Sequence, residues 1–383
     1  MSAPPPLPGA DGRPPTVGIV GHAGAYGRWL ARFFRERMGL AVLGSDPAEP
    51  GSPPPGELAA RCQVLVFSVP IRQAAAIIAA TAEAAGGREA GALWLDLTSI
   101  KQAPVAAMLA SRAEVAGLHP MAAPPAIATL HGRTLAVCRA RISRWEPWLA
   151  RFLQATGARV VAVEPAAHDR AMALVQGLVH ASHMAQAEVL AALAAEAGGL
   201  ALLDALGTVG HALDLTVTGR ILAGNPAIYT DIQFDNPHVA AVLERLAQAL
   251  ADLRAQVARG DDGARAALAA RFLAAPAAAL GRARLARLSH DFDRLGDLQA
   301  DLRSPRHVSV FLPEDRPGAL RRLLAVFERL GVNLASIHSS RTPAGELHFR
   351  IGLDPLPLPL EALCAAIAEA GIGRVLEAAD DAA

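Results

Sequence analysis

Lysine is almost absent from this sequence. Of its 36 basic residues only Lys101 is a lysine, and all the others are arginines. The two side chains differ in shape and hydration, so one retained lysine indicates a site that the planar guanidinium does not fit, although a single lysine can also remain by chance. Lys101 ends residues 95–101 (LDLTSIK), and residues 117–121 (GLHPM) follow shortly after. This region is therefore the first candidate for an active site.

Cysteines, aromatic side chains and long apolar runs are also scarce. Cys62, Cys138 and Cys364 lie far apart and form no CxxC pair or Cys/His cluster, which argues against a disulfide framework and against a metal site. Because 52% of the residues are hydrophobic but only 4% are aromatic, Ala, Leu and Val must supply most of the core, as in helix-rich proteins. Charged residues interrupt each apolar run before it reaches the roughly twenty residues of a membrane span, so we expect no membrane insertion.

The net charge and the composition of the first fifteen residues argue against further classes of protein. The formal net charge is zero and no cluster combines basic and aromatic residues, which argues against a nucleic-acid partner. Residues 1–15 are rich in Pro and Gly and lack the basic and apolar regions of a signal peptide, so we predict a disordered tail. We expect a cytoplasmic protein.

Strand-like and helix-like segments alternate over residues 16–164. Uninterrupted apolar runs at residues 16–21, 40–44, 64–70 and 93–97 are separated by helical patterns. This alternation is typical of a parallel sheet covered on both faces. We therefore predict an N-terminal α/β domain of the Rossmann type over these residues.

The rest of the chain has a different character. Residues 165–303 consist of long Ala/Leu/Arg stretches with helical spacing and almost no strand signal, which predicts an all-α domain. After residues 303–305 (RSP) the patterns follow the order β-α-β-β-α, and a final short strand could follow near residues 374–376. That order predicts a small ferredoxin-like α+β domain over residues 304–383.

The turn after the first strand has the character of a dinucleotide-binding fingerprint. Residues 21–27 (GHAGAYG) fit the pattern GxGxxG, except that His22 takes the first glycine position and Gly21 precedes it. Gly24 would let the backbone approach a pyrophosphate, and Gly27 would let the helix pack closely on the strand. The helix N-terminus would favour the anion. By itself this imperfect motif could also be a tight turn without a ligand.

A carboxylate after the second strand indicates NAD as the cofactor. Asp46 can accept hydrogen bonds from both ribose hydroxyls and would repel the 2′-phosphate of NADP, while Arg28 beside the glycine turn would weaken that preference. Other polar residues follow two further strands, at the sheet edge where ligands bind in such folds. The predicted NAD-binding residues are Gly21, His22, Gly24, Tyr26, Gly27, Asp46, Ser68, Val69, Pro70 and Thr98.

His119 is the candidate acid–base residue. It follows a short apolar segment, residues 115–118, that could itself be a strand ending over the nicotinamide. An unperturbed imidazole, with a pKa of about 6.5, is mostly neutral at pH 7 and can accept a proton from a substrate hydroxyl as hydride leaves the same carbon. An isolated histidine is more often a packed residue. Ser99 would line the same pocket or simply cap the helix that starts near Ile100.

Polar residues of the helical region supply the candidate substrate pocket. Gln176 and His180 are four residues apart and share a helical face, where they either line a cleft or are satisfied buried groups. Arg220 follows Gly219 and lies among Leu, Val and Ile, which favours burial with an anionic partner. A guanidinium binds carboxylates through two hydrogen bonds, so Arg220 is a candidate carboxylate ligand.

Four motifs in this order resemble the prephenate dehydrogenase family: LDLTSIKxxP, GLHPM, HDRAMALVQGLVH and GRILAxNPxxYxDI. The resemblance spans about residues 17–235 and implies NAD-dependent oxidative decarboxylation of prephenate to 4-hydroxyphenylpyruvate in tyrosine biosynthesis, by a homodimer that forms through the helical domain. By matching position, His119 would hydrogen-bond the C4 hydroxyl and Arg220 would bind a carboxylate. Ser99, Gln176 and His180 would line the pocket, and Lys101 would add positive charge near it.

Some features depart from the family or leave alternatives open. Ala123 stands where members commonly carry glycine, and His22 replaces a fingerprint glycine, which would loosen the fit of substrate or cofactor. Because only a short tail precedes the first strand, we expect no fused chorismate mutase domain. An arogenate dehydrogenase and a catalytically inactive amino-acid sensor both stay open. A β-hydroxyacid dehydrogenase is disfavoured by residues 117–121.

Residues 306–377 resemble an ACT domain through the motifs DRPGAL and GVNLASIHSSRTP. Such domains usually pair and bind amino acids, so the resemblance implies feedback regulation by tyrosine or phenylalanine, with a dimerisation module that binds no ligand as the alternative. A glycine would allow close backbone approach, and the next helix N-terminus could hold a carboxylate. The predicted effector-binding residues are Gly318, Ala319, Leu320 and Asn333.

Overall fold

The computed structural model divides the chain into two compact units, Met1–Ala258 and Arg259–Ala383. The described residues are 8–124, 129–304, 306–313, 316–341 and 347–380. Residues 1–7 of the predicted tail, and Pro305, Asp315, Thr342 and Pro343 of the motifs quoted above, lie outside them. The domain boundaries at residues 164/165 and 303/304 stay predictions.

A seven-stranded sheet forms the centre of the first unit. Its strands are β1 (Val17–Val20), β2 (Val42–Ser45), β3 (Val64–Phe67), β4 (Leu93–Asp96), β5 (Glu114–Pro120), β6 (Thr134–Arg141) and β7 (Arg159–Ala162). They lie in the order β2-β1-β3-β4-β5-β6-β7. The first five are parallel, as predicted, whereas β6 runs antiparallel to β5. We did not predict β6 and β7; β7 is an exposed edge strand and lacks a buried face that would reveal it.

Helices cover both faces of this sheet. They are α1 (Ala25–Met38), α2 (Pro55–Arg61), α3 (Ile71–Ala85), α4 (Gln102–Leu109) and α5 (Glu146–Thr156). Buried side chains of α1 and α5 form one core against the sheet, and those of α2, α3 and α4 form the other. The carboxyl ends of the parallel strands thus open onto the turns that begin α1, α3 and α4, which is where ligands bind in such folds.

Six buried aromatic side chains lie in the core that α1 and α5 form: Trp29, Phe33, Phe34, Trp145, Trp148 and Phe152. Trp29 stacks on Phe33 at 5.3 Å between ring centroids, and Trp148 stacks on Phe152 at 5.6 Å. Phe34 contacts both Trp148 and Phe152. Because burying one large apolar side chain contributes about 1.5–3 kcal/mol, this cluster holds α1 and α5 firmly on the sheet.

Residues 8–15, which we predicted to belong to a disordered tail, form a turn instead. The amide of Gly9 donates to the carbonyl of Arg13 at 2.6 Å. Gly9 lies against the Trp145 ring, and Pro15 is buried. The turn forms because these small and apolar residues pack beside a core tryptophan. Composition alone does not reveal such a contact.

A helical segment follows the sheet in the first unit. Its helices are α6 (Pro165–Met172), α7 (Val179–Leu193), α8 (Leu200–Ala205), α9 (Val209–Leu222), α10 (Pro226–Asp235) and α11 (Val239–Arg259). Between α6 and α7 the chain makes a π-helical turn at Ala173–Leu178. Gln176 therefore lies in a π-turn rather than in the regular α-helix that the spacing predicts, and His180 follows it in α7.

Two carboxylates of this segment cap helices of the sheet region. Asp231 Oδ2 accepts the amide of Arg72 at the start of α3 at 3.3 Å. Asp169 accepts the amides of Lys101 and Gln102 at the start of α4. Helix N-termini carry unpaired amides and a partial positive charge, so both contacts are favourable. The helical segment is thereby fixed against the ligand edge of the sheet.

The second unit holds helices and a four-stranded antiparallel sheet. Its elements are α12 (Asp262–Leu268), α13 (Ala275–Leu280), α14 (Arg282–Arg303), β8 (Arg306–Phe311), α15 (Ala319–Arg329), β9 (Leu334–Arg341), β10 (Leu347–Leu353), α16 (Leu360–Glu369) and β11 (Arg374–Asp380). A further π-helical turn, Ala269–Ala274, joins α12 to α13. The strand order β11-β8-β10-β9 confirms the predicted ferredoxin-like arrangement. In the described ranges, no helix is long and apolar enough to span a bilayer, and no three metal-ligating side chains are grouped to hold an ion.

Candidate active site

Lys101 is fully buried at the carboxyl edge of the large sheet. Its ammonium donates to Oδ2 of Asp96, the last residue of β4, and to the carbonyl of Leu118 in β5 at 2.8 Å. The amide and hydroxyl of Thr98 bind the other oxygen of Asp96 at 2.9 and 2.7 Å. A buried ion pair is stable only when its remaining hydrogen-bonding groups are also satisfied. This one ties the ends of β4 and β5 together.

The space around Lys101 explains why this position is not arginine. A Cβ atom added to Gly117 would lie 2.9 Å from Lys101 Cδ and 2.8 Å from Val105 Cγ2. The aliphatic stem of Lys101 therefore runs through a channel that only glycine leaves open. A compact ammonium fits at the end of that channel, whereas a planar guanidinium needs more room.

His119 lies near the end of β5 and is only 3% exposed. Its Nδ1 is 3.0 Å from Nε2 of His168, and the two rings meet edge to face. Its other nitrogen, Nε2, is 3.4 Å from the side-chain amide nitrogen of Gln176 in the π-helical turn. Two predicted site residues, His119 and Gln176, are thus brought together, and the ammonium of Lys101, which precedes α4, reaches the end of the neighbouring strand β4.

Burial lowers the pKa of His119 well below 6.5, and the positive charge of Lys101 lowers it further. Removing the ring from water penalises its charged form, and a neighbouring positive charge acts in the same direction. His119 is therefore neutral at pH 7. A neutral imidazole has one bare nitrogen, so it can accept a proton from a ligand.

His168 and Asp169 complete the cluster, although we did not single them out as site residues. His168 Nδ1 is 2.8 Å from Asp169 Oδ1, and both side chains are buried. Burial raises the pKa of Asp169, but hydrogen bonds from His168 and from the amides of Gln102 and Lys101 outweigh it and hold the pKa below its usual range. The signal in the sequence was their position at the start of the family-like motif HDRAMALVQGLVH.

Ser99 does not cap α4, contrary to one of our two interpretations. The helix begins at Gln102 rather than near Ile100, and Asp169 supplies the cap. Ser99 is half-buried and its hydroxyl makes no hydrogen bond to any residue in the described part of the chain. Thr98, by contrast, directs its hydroxyl at Asp96 and Ile100. A contact between Thr98 and a cofactor would have to come from its backbone.

The glycine turn before α1 is built around Gly21. This residue has a φ of 81°, and a Cβ there would overlap the carbonyl oxygen of Ser68. The left-handed conformation therefore falls on Gly21, so His22 is accommodated at the next position without strain. A Cβ at Gly27 would overlap the carbonyl of Gly21, which fits the predicted close packing of helix on strand.

A cavity of about 890 Å³ opens beside this turn. Asp46 lies in its wall, where Oδ2 accepts the amide of Ala23 at 2.9 Å and Oδ1 accepts that of Ala48 at 2.9 Å. Arg28 donates to the carbonyl of Ala23, a residue of the same wall. The predicted cofactor residues in the wall are Gly21, Gly24, Asp46, Ser68, Val69 and Pro70. His22, Tyr26, Gly27 and Thr98 are not among the lining residues.

His22 and Tyr26, which do not line the cavity, connect the glycine turn to neighbouring segments. His22 packs against Gly44 and lies 3.4 Å from the carboxylate of Glu49. The hydroxyl of Tyr26 donates to the carbonyl of Ala122, in the loop after β5, and burial raises its pKa. Tyr26 thus links the glycine turn directly to the segment that follows His119.

Arg220 is exposed at the end of α9, so the prediction that it is buried with an anionic partner is wrong. Its apolar sequence neighbours do not enclose it, because the outer face of α9 is open. Tyr229 donates to its carbonyl at 3.3 Å and meets the ring of His180 edge to face at 5.0 Å. Burial, and then His183, lower the pKa of His180. His180 and Arg220 are thus connected through Tyr229.

The predicted effector residues lie in the second unit. Gly318 precedes α15 with a φ of 89°, which only glycine adopts readily. Ala319 is buried and Leu320 is exposed. The side-chain amide of Asn333 donates to Asp354, so its donor is already engaged.

Sequence comparisons agree with this geometry. Residues 164–270 match the family described as prephenate dehydrogenase, dimerization domain, and residues 306–356 match the ACT domain. A 4-amino-4-deoxyprephenate dehydrogenase from Streptomyces pristinaespiralis is 32% identical over 268 residues, which are 65% of this chain and 87% of the relative. A probable arogenate/prephenate dehydrogenase from Methanocaldococcus jannaschii is 28% identical over 60% of this chain and 54% of its own length. The chain thus spans about half the length of that relative.

Structural comparison gives the same fold. A crystal structure of prephenate dehydrogenase from Aquifex aeolicus, in complex with hydroxyphenyl propionate and NAD+, superposes with a TM-score of 0.52 at 19% identity. The match covers 64% of this chain and 91% of that one. At this identity the likeness concerns the fold alone. The sequence relatives and the matched dimerization domain carry the assignment, and the chain belongs to the prephenate dehydrogenase family.

Proposed function

We propose that the protein is an NAD-dependent prephenate dehydrogenase, which oxidatively decarboxylates prephenate to 4-hydroxyphenylpyruvate. The observation that carries this proposal is the buried His119, whose Nε2 makes a long contact, 3.4 Å, with the side-chain amide nitrogen of Gln176 and whose pKa burial lowers well below 6.5. A histidine in this state can accept a proton from a substrate hydroxyl. The family to which the chain belongs supports the same reaction.

The glycine turn fits a dinucleotide. Gly21 and Gly27 leave no side chain where the backbone must come close, and Gly24 precedes the free amides of α1. A helix N-terminus of this kind favours a pyrophosphate. Asp46 in the wall would hold the ribose hydroxyls and disfavour NADP. Bound NAD+ would supply the hydride acceptor.

The side chains of the protein accept the proton and orient the substrate. His119 takes the proton of the C4 hydroxyl, and Gln176 and Ser99 orient the ring of the substrate beside it. Loss of the ring carboxylate as CO2 makes the product aromatic, so the protein mainly needs to hold substrate and cofactor in register. Lys101 and Asp96 neutralise each other and keep the strand ends in place.

The alternative substrates differ from prephenate either in the group at C4 or in the side chain. Arogenate carries an amino group in place of the keto group of prephenate, far from C4. The Streptomyces relative is described as acting on 4-amino-4-deoxyprephenate. A bare imidazole nitrogen accepts a hydrogen bond from either a hydroxyl or an amine, so His119 alone does not distinguish these substrates.

The function is tested by measuring NADH formation with prephenate, arogenate and 4-amino-4-deoxyprephenate in parallel, each with and without tyrosine. We expect the highest kcat/KM with prephenate. A higher kcat/KM with arogenate or 4-amino-4-deoxyprephenate would leave the proposed reaction type in place and change the assigned substrate. Binding of NAD+ without turnover of any of them would overturn the proposal in favour of an inactive sensor.

We further propose a homodimer with an aromatic amino acid, tyrosine or phenylalanine, as effector. The dimer is supported by large apolar side chains that a single chain leaves in water, such as Phe234 at 88% and Leu206 at 73% exposure. The effector is supported by the matched ACT domain. Sedimentation velocity tests the first and inhibition in the assay above tests the second.

The pH dependence of kcat/KM should report His119. Its pKa lies well below 6.5 because of burial and the charge of Lys101, so the residue stays an effective base on mild acidification. We expect kcat/KM to be level from about pH 8 to about pH 6.5 and to fall only below that, as the imidazole becomes protonated. Initial rates across this range check the prediction. An acid limb centred above about pH 6.5 would contradict it.

Replacing Gly21 with alanine should weaken NAD+ binding. The substitution places a Cβ against the carbonyl of Ser68 and forces an L-residue into a left-handed conformation, which costs about 1–2 kcal/mol before any clash. We expect NAD+ affinity to fall at least about tenfold, which corresponds to about 1.4 kcal/mol of binding free energy. Isothermal titration calorimetry measures the change.

Gly132→Ala is the matched control for this variant. Gly132 also has a positive φ, of 74°, but an added Cβ would meet nothing within 4 Å. The control should lose some folding stability and keep its NAD+ affinity. Equal affinities for the Gly21 variant and the wild type would remove the glycine turn from the cofactor site.

A further inference from the structure

The hydrogen bonds behind His119 determine which of its nitrogens carries the proton. We propose that His168 and Asp169 are positioning residues that fix His119 in the tautomer with Nδ1 protonated and Nε2 bare. The proposal rests on the proposed function for its catalytic consequence. Its structural content, the tautomer itself, is independent of which substrate the enzyme uses.

Asp169 sets the direction of the chain of hydrogen bonds. An ionised carboxylate can only accept, and its oxygens already receive the amides of Lys101 at 2.7 Å and Gln102 at 2.9 Å. The third contact, 2.8 Å from Oδ1 to His168 Nδ1, must therefore carry its hydrogen on the histidine.

The contact with Gln176 indicates the tautomer of His119. An amide nitrogen can only donate, so the 3.4 Å contact of Gln176 Nε2 with His119 Nε2 leaves that ring atom bare. The hydrogen of a neutral His119 is then on Nδ1, which donates to His168 Nε2 at 3.0 Å. Free histidine has no such constraint. The three side chains are 3%, 1% and 0% exposed, so water does not compete for these contacts.

The arrangement also balances the charge that appears during the reaction. As hydride leaves C4, the O–H bond of the substrate breaks, its electron pair forms the new C=O bond and its proton goes to Nε2 of His119. The imidazolium keeps its Nδ1 hydrogen in the bond to His168. Since Lys101 is paired with Asp96, the carboxylate of Asp169 is the negative charge at the far end of this chain. A fixed anion in a buried site stabilises a developing cation.

Two substitutions at His168 distinguish a positioning role from a packing role. In His168→Gln the glutamine amide can still accept a hydrogen bond from His119 and donate one to Asp169. In His168→Leu the leucine fills the space but makes neither hydrogen bond. We expect His168→Leu to lower kcat by about 10–100-fold, the usual effect of losing a group that orients another. The KM for prephenate should change less than about threefold, and His168→Gln should recover most of the rate.

Nitrogen NMR of the histidine rings supplies a readout that needs no turnover. In the wild-type enzyme without substrate at pH 7, His119 should show a protonated Nδ1 and a bare Nε2, with its signals assigned by their loss in His119→Asn. In His168→Leu the Nε2-protonated form should appear. If His168→Leu does not fold, the wild-type spectrum and His168→Gln still decide the question.

Two results would overturn the proposal: a wild-type His119 protonated at Nε2, or equal kcat values for the Leu and Gln variants. Failure of the proposed function gives a different pattern. The tautomer would then be as stated while none of the three substrates is turned over.

Discussion

Replacing His119 with asparagine lowers kcat by about 10²–10⁴-fold, the range that a positioned general base contributes. Asparagine is smaller and polar, and its amide can still donate toward His168, but it cannot take up a proton. The loss should appear in kcat and in kcat/KM together, because proton transfer occurs only in the transition state. NADH formation with prephenate measures it.

NAD+ binding and folding should be nearly unchanged in this variant, since the glycine turn lies on a different strand. His131→Asn is a matched control: His131 is exposed, and the same substitution there should leave kcat unaltered. A rise in the NAD+ dissociation constant as large as the fall in kcat would mean that His119 supports the cofactor site rather than the proton transfer.

Replacing Lys101 with methionine should lower the free energy of unfolding by about 3–5 kcal/mol, the usual penalty for leaving one member of a buried ion pair without its partner. Methionine fills much the same channel beside Gly117, so the lost volume is small. What is lost is the ammonium that binds Asp96 and the carbonyl of Leu118. Urea unfolding followed by circular dichroism measures the change.

Two further variants test whether the loss of stability comes from breaking the buried ion pair. Arg61→Met breaks the exposed ion pair with Glu57 and should lower the unfolding free energy by less than about 1 kcal/mol. Adding Asp96→Asn to the Lys101 variant removes the uncompensated charge and should restore part of the stability. If Lys101→Met were as mild as the surface control, the buried pair would not hold the ends of β4 and β5 together.

Local patterns were sufficient to predict the parts of the site that lie on single elements. The apolar strands, the glycine turn with Asp46, and His119 at a strand end all follow from residues close together in the sequence. The fold class and the C-terminal ferredoxin-like unit were predicted in the same way. Each of these features is determined by periodicity or by turn chemistry within a few residues.

The features that sequence reasoning missed depend on contacts between distant segments. The cap of α4 comes from Asp169, 68 residues after Lys101, so the adjacent Ser99 appeared to be the better candidate. The π-helical turn at Ala173–Leu178 follows from how the chain meets the sheet, and no spacing rule reveals it. The exposure of Arg220 depends on which face of α9 is open, and an apolar neighbourhood in sequence does not decide that.

The distant caps have a consequence for synthesis on the ribosome. The strands and helices of the sheet region emerge first, yet α3 waits for Asp231, 159 residues beyond Arg72, to receive its cap. Contacts of such long sequence separation form late, because the intervening chain must first be ordered. A nascent chain that stops after β7 would therefore carry two helices, α3 and α4, with open amino ends at the carboxyl edge of the sheet. That edge is completed only once α6 and α10, which bear Asp169 and Asp231, have been translated.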